Sequence, residues 1–159
     1  MMTKEIENYR KDGFTGFVPV SKLRSATSLL PDSCGVYIVV RDSDNSPEFL
    51  ANGTGGFFQG KNPNVGLEEL ESNYVAGSKV VYIGKATSLK KRVVQLLRFG
   101  AGKAVAHKGG RYLWQLADSD NLLIAWKTTP STDPRAEEIK MLKEFVSRHG
   151  KLPFANLIM

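Results

Sequence analysis

Six polar side chains in four separated segments are of the types that cleave phosphodiester bonds. They are Tyr37, Tyr82, Lys85, Arg92, Glu138 and Asn156. Hydrolysis of a phosphodiester needs an activated water, positive charge to stabilise the phosphate as negative charge develops, and help for the departing alkoxide. Lysine and arginine provide positive charge, and a carboxylate can hold a divalent cation. This set of residue types therefore indicates phosphate chemistry.

The two tyrosines lie on separate apolar runs, each close to a glycine. Tyr37 ends the segment Gly35-Val-Tyr37, and Tyr82 begins the segment Tyr82-Ile-Gly84. Tyrosine is an unusual base because its ordinary pKa is near 10. A tyrosine becomes a plausible base only if Lys85, Arg92 and a metal ion lower that pKa by favouring the phenolate. Tyrosines on strands are more often structural, but the pairing of both with glycines favours a catalytic interpretation.

Glu138 is the candidate metal ligand. A hard cation such as Mg2+ takes oxygen ligands, and one carboxylate can hold it together with waters and substrate oxygens. Glu138 precedes Met141 and Leu142 by three and four residues, so it flanks the apolar stripe of a predicted helix. We expect Glu137 to point towards solvent. The alternative is that Glu138 is an ordinary acid near a helix N-terminus.

Positive charge is concentrated between Lys85 and Arg111. The chain has 22 Lys and Arg against 16 Asp and Glu, a net charge of +6, and this stretch contains no acid. Such a stretch, with helix and glycine-loop signals, suits a phosphate backbone; the alternative is a solvated helix face. The further residues expected to bind nucleic acid are Lys90, Lys91, Arg98, Lys103, His107, Lys108 and Arg111.

Length and composition predict one folded domain. A chain of 159 residues with 42% hydrophobic residues can bury a core. Cys34 is the lone cysteine, so neither an internal disulfide nor a multi-cysteine zinc site is expected. The N-terminus is charged, and no run approaches the roughly 18 apolar residues of a membrane span. We therefore expect a cytoplasmic protein with no membrane partner; protein partners and oligomeric state have no signal in the sequence.

Short runs of β-branched and apolar residues predict three strands, at 36–40, 79–83 and 121–127. Residues 1–29 are interpreted as an N-terminal arm, and residues 30–159 as the domain. A polar segment rich in Gly and Asn, at about 41–79, lies between the first two strands and is too long for a hairpin turn. An insertion of this kind is either a functional loop or a mobile one.

Two helices are predicted after the second and third strands. The first begins at Thr87 or Ser88, and its expected core face is Leu89, Val93, Leu96 and Leu97. The second begins near Asp133-Pro134 and ends at His149-Gly150. Its expected core face is Ile139, Leu142, Phe145 and Val146.

These motifs resemble those of the GIY-YIG nuclease family. Gly35-Val-Tyr37 and Tyr82-Ile-Gly84 match the two segments that give the family its name. Residues 31–37 and 81–93 are similar to the N-terminal nuclease domain of the bacterial nucleotide-excision-repair incision enzyme, and the resemblance runs from about residue 30 to residue 156. It implies an α/β (α+β) fold with a small central antiparallel sheet of three strands flanked by helices. The implied activity is endonuclease cleavage of DNA with one divalent metal ion, Mg2+ or Mn2+.

The resemblance also implies roles for the site residues. Glu138 would bind the metal, and Arg92 would bind and stabilise the phosphate with assistance from Lys85. The two tyrosines would position or deprotonate the water, the first of them being the preferred base. Asn156 would complete the site.

The chain departs from the family pattern between the two motifs, where about forty residues replace a usual link of about ten. We expect this insertion, with Phe57-Phe58, to cover the site or to contact substrate. The alternative function is a nucleic-acid-binding module of the same fold that does not cleave, and a third possibility is a protein-interaction domain. Retention of all six candidate residues favours the enzyme, because binding needs only the lysines and arginines.

Overall fold

The computed structural model describes residues 4–105 and 109–157. Within these ranges the α-helices are α1 (Lys4–Lys11), α2 (Val20–Leu23), α3 (Leu67–Asn73), α4 (Leu89–Gly100) and α5 (Pro134–His149). The strands are β1 (Thr15–Pro19), β2 (Gly35–Val40), β3 (Val80–Ala86) and β4 (Leu123–Thr128). Short 3-10 helices lie at Thr27–Leu29, Phe58–Gly60, Arg111–Gln115 and Ser119–Asn121. None of the helices in the described ranges is long and apolar enough to span a membrane.

The four strands form one open antiparallel sheet in the order β1-β4-β2-β3. Strand β2 lies inside the sheet and pairs with β3 on one side and with β4 on the other. All of its residues are buried, which explains why it appears in the sequence as a continuous apolar run. Strand β3 lies at one edge. The predicted α+β fold with an antiparallel sheet is confirmed.

The prediction of three strands is wrong, because β1 is a fourth strand within the segment interpreted as an N-terminal arm. Strand β1 pairs with β4, and its register shifts between Gly16 and Val18. Phe17, in the shifted part, has a φ of 56°, as in a β-bulge. Glycine and proline within five residues argue against a strand in sequence, but an edge strand tolerates both.

Helices cover both faces of the sheet. On one face, α1 and α5 pack through Ile6, Met141 and Phe145. On the other face α4 packs through its predicted apolar residues, all of which are buried. Helices α4 and α5 therefore lie on opposite sides of β3, and both reach its edge.

The helix boundaries follow from capping side chains. Ser88 caps α4 by accepting a hydrogen bond from the backbone N–H of Lys91, and Asp133 caps α5. Gly150 ends α5 in the left-handed conformation, with φ 78°. These predicted boundaries are confirmed.

The predicted core face of α5 is partly wrong. The buried residues are Met141, Leu142 and Phe145, whereas Ile139 and Val146 are only half-buried. The stripe that faces the sheet is rotated from the predicted one, and this rotation brings Ile139 to the edge of β3, where it lines a cleft.

The insertion is fastened to the rest of the fold by the buried amide of Gln115. Its Nε2 donates to the carbonyl oxygens of Leu50 (3.0 Å) and Val65 (2.9 Å), and its Oε1 accepts from the backbone N–H of Val65 (2.9 Å). At the start of the insertion, the buried Arg41 donates to the carboxylate of Asp118 (2.8 Å). Hydrogen bonds thus attach both ends of the segment at 49–66 to residues that follow β3 in the chain.

Gln115→Ala is expected to destabilise the protein by at least about 2 kcal/mol, because it leaves buried backbone groups of the insertion without hydrogen-bond partners. Urea unfolding followed by circular dichroism measures the change. Ser46→Ala, an exposed change in the same insertion, is the control and should stay within about 0.5 kcal/mol of the parent. Equal stability of the two variants would contradict this role of Gln115.

Candidate active site

A cleft of about 800 Å³ lies at the edge of β3, between the first two turns of α4 and those of α5. Its lining includes five of the six residues singled out in the sequence, Tyr82, Lys85, Arg92, Glu138 and Asn156. Tyr37 lies behind Tyr82 and is fully buried. The structure therefore brings together residues that are separated by more than 70 positions in the chain.

The cleft gathers side chains from both faces of the sheet. Successive side chains of a strand point to opposite faces, so Tyr82 faces α4 and Lys85 faces α5. Arg92 of α4 and Glu138 of α5 approach the same edge from the two sides. The four groups can share one cleft because no further strand pairs with β3 at this edge in the described structure.

Asn156 closes the edge of β3. Its Nδ2 donates to the carbonyl oxygen of Ile83 (2.9 Å) and its Oδ1 accepts from the Ile83 N–H (2.9 Å). The backbone N–H of Ala155 donates to Val81 (2.8 Å). Asn156 thus makes the hydrogen bonds that a neighbouring strand would make to the residue between Tyr82 and Gly84. Its effect on the site is to hold β3 in place.

The glycine of the second motif makes room for the tyrosine of the first. Tyr37 and Gly84 are directly paired across β2 and β3. A Cβ atom on Gly84 would lie 2.4 Å from Cζ of Tyr37, which is far closer than two carbon atoms can pack. The rings of Tyr37 and Tyr82 then lie 5.9 Å apart. This contact gives a physical reason for the two motifs to occur together.

Burial raises the pKa of both tyrosines. Tyr37 has a pKa well above its ordinary value, and its hydroxyl has no hydrogen-bond partner of standard geometry, although Tyr82 and Arg92 lie near it. Burial also raises the pKa of Tyr82, against the opposing effect of Arg92. Arg92 acts to lower the pKa of both tyrosines, but desolvation outweighs this attraction.

Glu138 is half-buried in the cleft, and burial raises its pKa although Lys85 and Arg135 lower it. Its carboxylate has no ion pair or hydrogen bond with the residues of the described ranges. Glu137, expected to point to solvent, instead pairs with Lys127 (3.1 Å) and is only 16% exposed. That expectation is wrong because Lys127 on β4 offers a partner beneath the helix, which the sequence does not reveal.

The structure adds cleft residues that sequence reasoning missed. Gln95 accepts a hydrogen bond from Nη1 of Arg92 (3.0 Å); the spacing of three residues on one helix could have indicated it. Asp133 and Arg135 also line the cleft, since the first turn of α5 reaches the edge of β3. Their position depends on how α5 packs against the sheet, so no local sequence pattern predicts that they line the cleft.

The predicted nucleic-acid-binding residues differ in exposure and in distance from the cleft. Lys90, Lys91, Arg98 and Lys103 are exposed and Arg111 is half-buried. Of these, Lys91 lines the cleft. His107 and Lys108 lie outside the described residues.

The donor set fits a single divalent cation. The described ranges contain no group of three His, Cys, Asp or Glu residues that could hold a metal by themselves. Mg2+ often binds through one or two carboxylates and completes its shell with waters and substrate phosphates. A half-buried carboxylate that lines a cleft, and that makes no ion pair or hydrogen bond with the described residues, suits this mode of binding.

Comparisons of the chain with protein-family models, with curated proteins and with solved structures found no match. The resemblance to GIY-YIG nucleases therefore depends on the two motifs and on the side chains around them.

Glu138→Gln is expected to increase the free energy of unfolding at neutral pH. Burial raises the pKa of Glu138 in the folded state above the ordinary 4.5, so the fold favours the neutral form. Stability is therefore lost as pH rises from the unfolded pKa through the folded one. Glutamine stays neutral, so the variant should exceed the parent near pH 7 and match it below about pH 4.

Urea unfolding at the two pH values measures this difference. Glu137→Gln is the matched control, because it loses the ion pair with Lys127 and should be no more stable than the parent. A Glu138→Gln variant that is less stable than the parent at neutral pH would refute the prediction.

Proposed function

We propose that the protein is a metal-dependent endonuclease that hydrolyses phosphodiester bonds in DNA. The observation that carries this proposal is the half-buried carboxylate of Glu138, which makes no ion pair or hydrogen bond with the described residues, in a cleft lined by Lys85, Lys91 and Arg92. A binding surface for phosphate gains nothing from a carboxylate, because like charges repel. A divalent cation between the carboxylate and the phosphate reverses that repulsion.

Glu138 would hold the cation, Mg2+ or Mn2+, with waters and phosphate oxygens as the other ligands. A bound cation of this kind lowers the pKa of water and neutralises negative charge on the phosphate. Asp133, an exposed residue of the same cleft, already accepts a hydrogen bond from the backbone N–H of Arg135. Glu138 is therefore the better ligand.

Arg92 binds and stabilises the phosphate. Its side chain emerges from α4 beside the buried Leu89 and Val93 and is held by Gln95. A guanidinium whose direction is fixed before substrate arrives stabilises developing charge without reorganisation. Lys85, exposed at the end of β3, is a second cation on the opposite side of the strand.

Tyr82 orients the attacking water. It lines the cleft, whereas Tyr37 is covered by it. Since burial raises both pKa values, both hydroxyls carry their protons at neutral pH, which favours hydrogen bonding to water over removal of its proton. Tyr82 is thus the tyrosine that contacts water, in place of Tyr37, which sequence reasoning preferred.

DNA is the proposed substrate because the exposed cations of α4 extend the positively charged surface past the cleft. Contacts between such cations and phosphates provide binding without sequence preference. A cytoplasmic location and the absence of a membrane partner stay predictions.

Replacement of either Glu138 or Arg92 by Ala is expected to abolish metal-dependent nicking of supercoiled plasmid, with the loss for Arg92→Ala at least about 10²-fold. DNA binding should remain in both variants because the other cations are unchanged. The measurement is a time course with Mg2+ or Mn2+ beside a chelated sample. Glu144→Ala and Lys140→Ala, on the same helix α5 but outside the cleft, are the matched controls and should cut like the parent.

Absence of cutting by the parent, with salt-sensitive DNA binding intact, would overturn the enzyme and favour the binding module. Cutting that survives in Glu138→Ala would remove this carboxylate from the site.

Tyr82→Phe is expected to slow plasmid nicking about tenfold or more, because an oriented water loses its hydrogen bond. Tyr37→Phe should cut within a few-fold of the parent and unfold at the same or a higher urea concentration, since it removes a buried hydroxyl that has no hydrogen-bond partner of standard geometry. Rates and unfolding midpoints of both variants provide the comparison. A greater loss of rate in Tyr37→Phe would show that the buried hydroxyl takes part in the reaction.

A further inference from the structure

Phe57 is a large apolar ring left in water. Its exposed fraction is 52%, whereas the other aromatic rings in the described ranges are buried or half-buried. The chain turns back just after it, at Gln59 (φ 53°) and Gly60 (φ 74°). A non-glycine residue in this left-handed conformation carries backbone strain. The loop that exposes the ring is therefore strained.

The backbone beside Phe57 packs against the end of α4. The N–H of Gly56 donates to the carbonyl oxygen of Phe99 (2.9 Å), and a Cβ on Gly56 would lie 1.9 Å from the carbonyl oxygen of Lys103. Glycine is thus required for the insertion to lie against this turn. The residue before Phe57 is thus in contact with the backbone of Lys103, which follows α4.

Two stretches without acidic residues meet at this contact. One is residues 49–67 in the insertion, and the other is the stretch from Lys85 to Arg111. Lys61 of the first stretch and Arg98 and Lys103 of the second are exposed. We call Phe57, Lys61, Arg98 and Lys103 the Phe57 platform.

The platform is continuous with the cleft. Lys91 and Gln95 line the cleft, and Arg98 is the next residue on the same face of α4, at the spacing i, i+4, i+7. Seven residues of helix span about 10 Å. One polyanionic strand can therefore contact the cleft and the platform together.

We propose that the Phe57 platform binds an unpaired stretch of DNA, with a base stacked on Phe57 and phosphates at the neighbouring cations. Resting on the proposed function, this inference assigns the nuclease a substrate with single-stranded DNA next to the cleavage point. An exposed ring among cations, without acids, suits single strands because every unpaired base offers a π-face for stacking. Paired bases inside a duplex offer no such face to a side chain on the outside.

The test measures binding without metal, so that it does not depend on cutting. Fluorescence anisotropy compares a single-stranded oligonucleotide of about 16 nucleotides with its duplex, in chelator. Phe57→Ala should weaken single-strand binding about 5- to 100-fold, as expected for the loss of one stacked base, and leave duplex binding unchanged. Phe57→Tyr should bind like the parent, whereas Phe57→Leu, which is apolar but has no π-system, should bind like Phe57→Ala.

Two controls separate stacking from general effects. Leu67→Ala removes another exposed apolar side chain of the insertion, 43% exposed and beside Glu68, and should change neither affinity. Arg98→Ala and Lys103→Ala should each lower the salt dependence of single-strand binding by about 0.7 in log–log slope.

Parental affinity in Phe57→Ala or Phe57→Leu, or equal losses for single strand and duplex, would overturn the platform. This result is distinguishable from failure of the nuclease proposal, which appears as absent metal-dependent cutting while the Phe57 effects on binding persist. If both hold, a plasmid nick should form faster beside an unpaired segment than within a perfect duplex, and Phe57→Ala should remove that difference.

Discussion

The position of β3 at the edge of the sheet is the constraint on which the candidate site depends. A carboxylate from α5 and a guanidinium from α4 lie on opposite faces of the sheet, and they can reach one cleft only where the sheet ends. The register of β3 must also be correct, because a slip of one residue exchanges the faces of all its side chains. The ring of Tyr37 against the backbone of Gly84 secures that register.

Local patterns were sufficient for α4, for the ends of α5 and for three of the four strands, but not for α1, α2 and α3. The caps at Ser88 and Asp133 and the apolar spacing of α4 act over a few residues, so they can be read from a single sequence. The candidate side chains could also be identified from the sequence, because the two motifs occur as a pair. The pairing has a structural reason, which is that the tyrosine of one motif contacts the glycine of the other. The two motifs are joined by a cross-strand contact. Each motif can be recognised in the sequence by a tyrosine two positions away from a glycine.

The remaining features depend on contacts between distant segments. Strand β1 contains a bulge, and its pairing with β4 is visible only in three dimensions. Lys127 captures Glu137 from another element, and desolvation of the two tyrosines is a property of the packed core rather than of neighbouring residues. Charge patterns in sequence indicate which groups attract each other, but the degree of burial decides which protonation state prevails.

Asn156 has a consequence for solubility as well as for the site. A bare edge strand presents unpaired N–H and C=O groups to which another chain can add, the first step of edge-to-edge aggregation. The amide of Asn156 and the N–H of Ala155 occupy these groups on β3, while the bulge and Pro19 interrupt β1 at the opposite edge. Asn156 thus occupies part of the β3 edge to which a strand of a second copy of the protein could otherwise add.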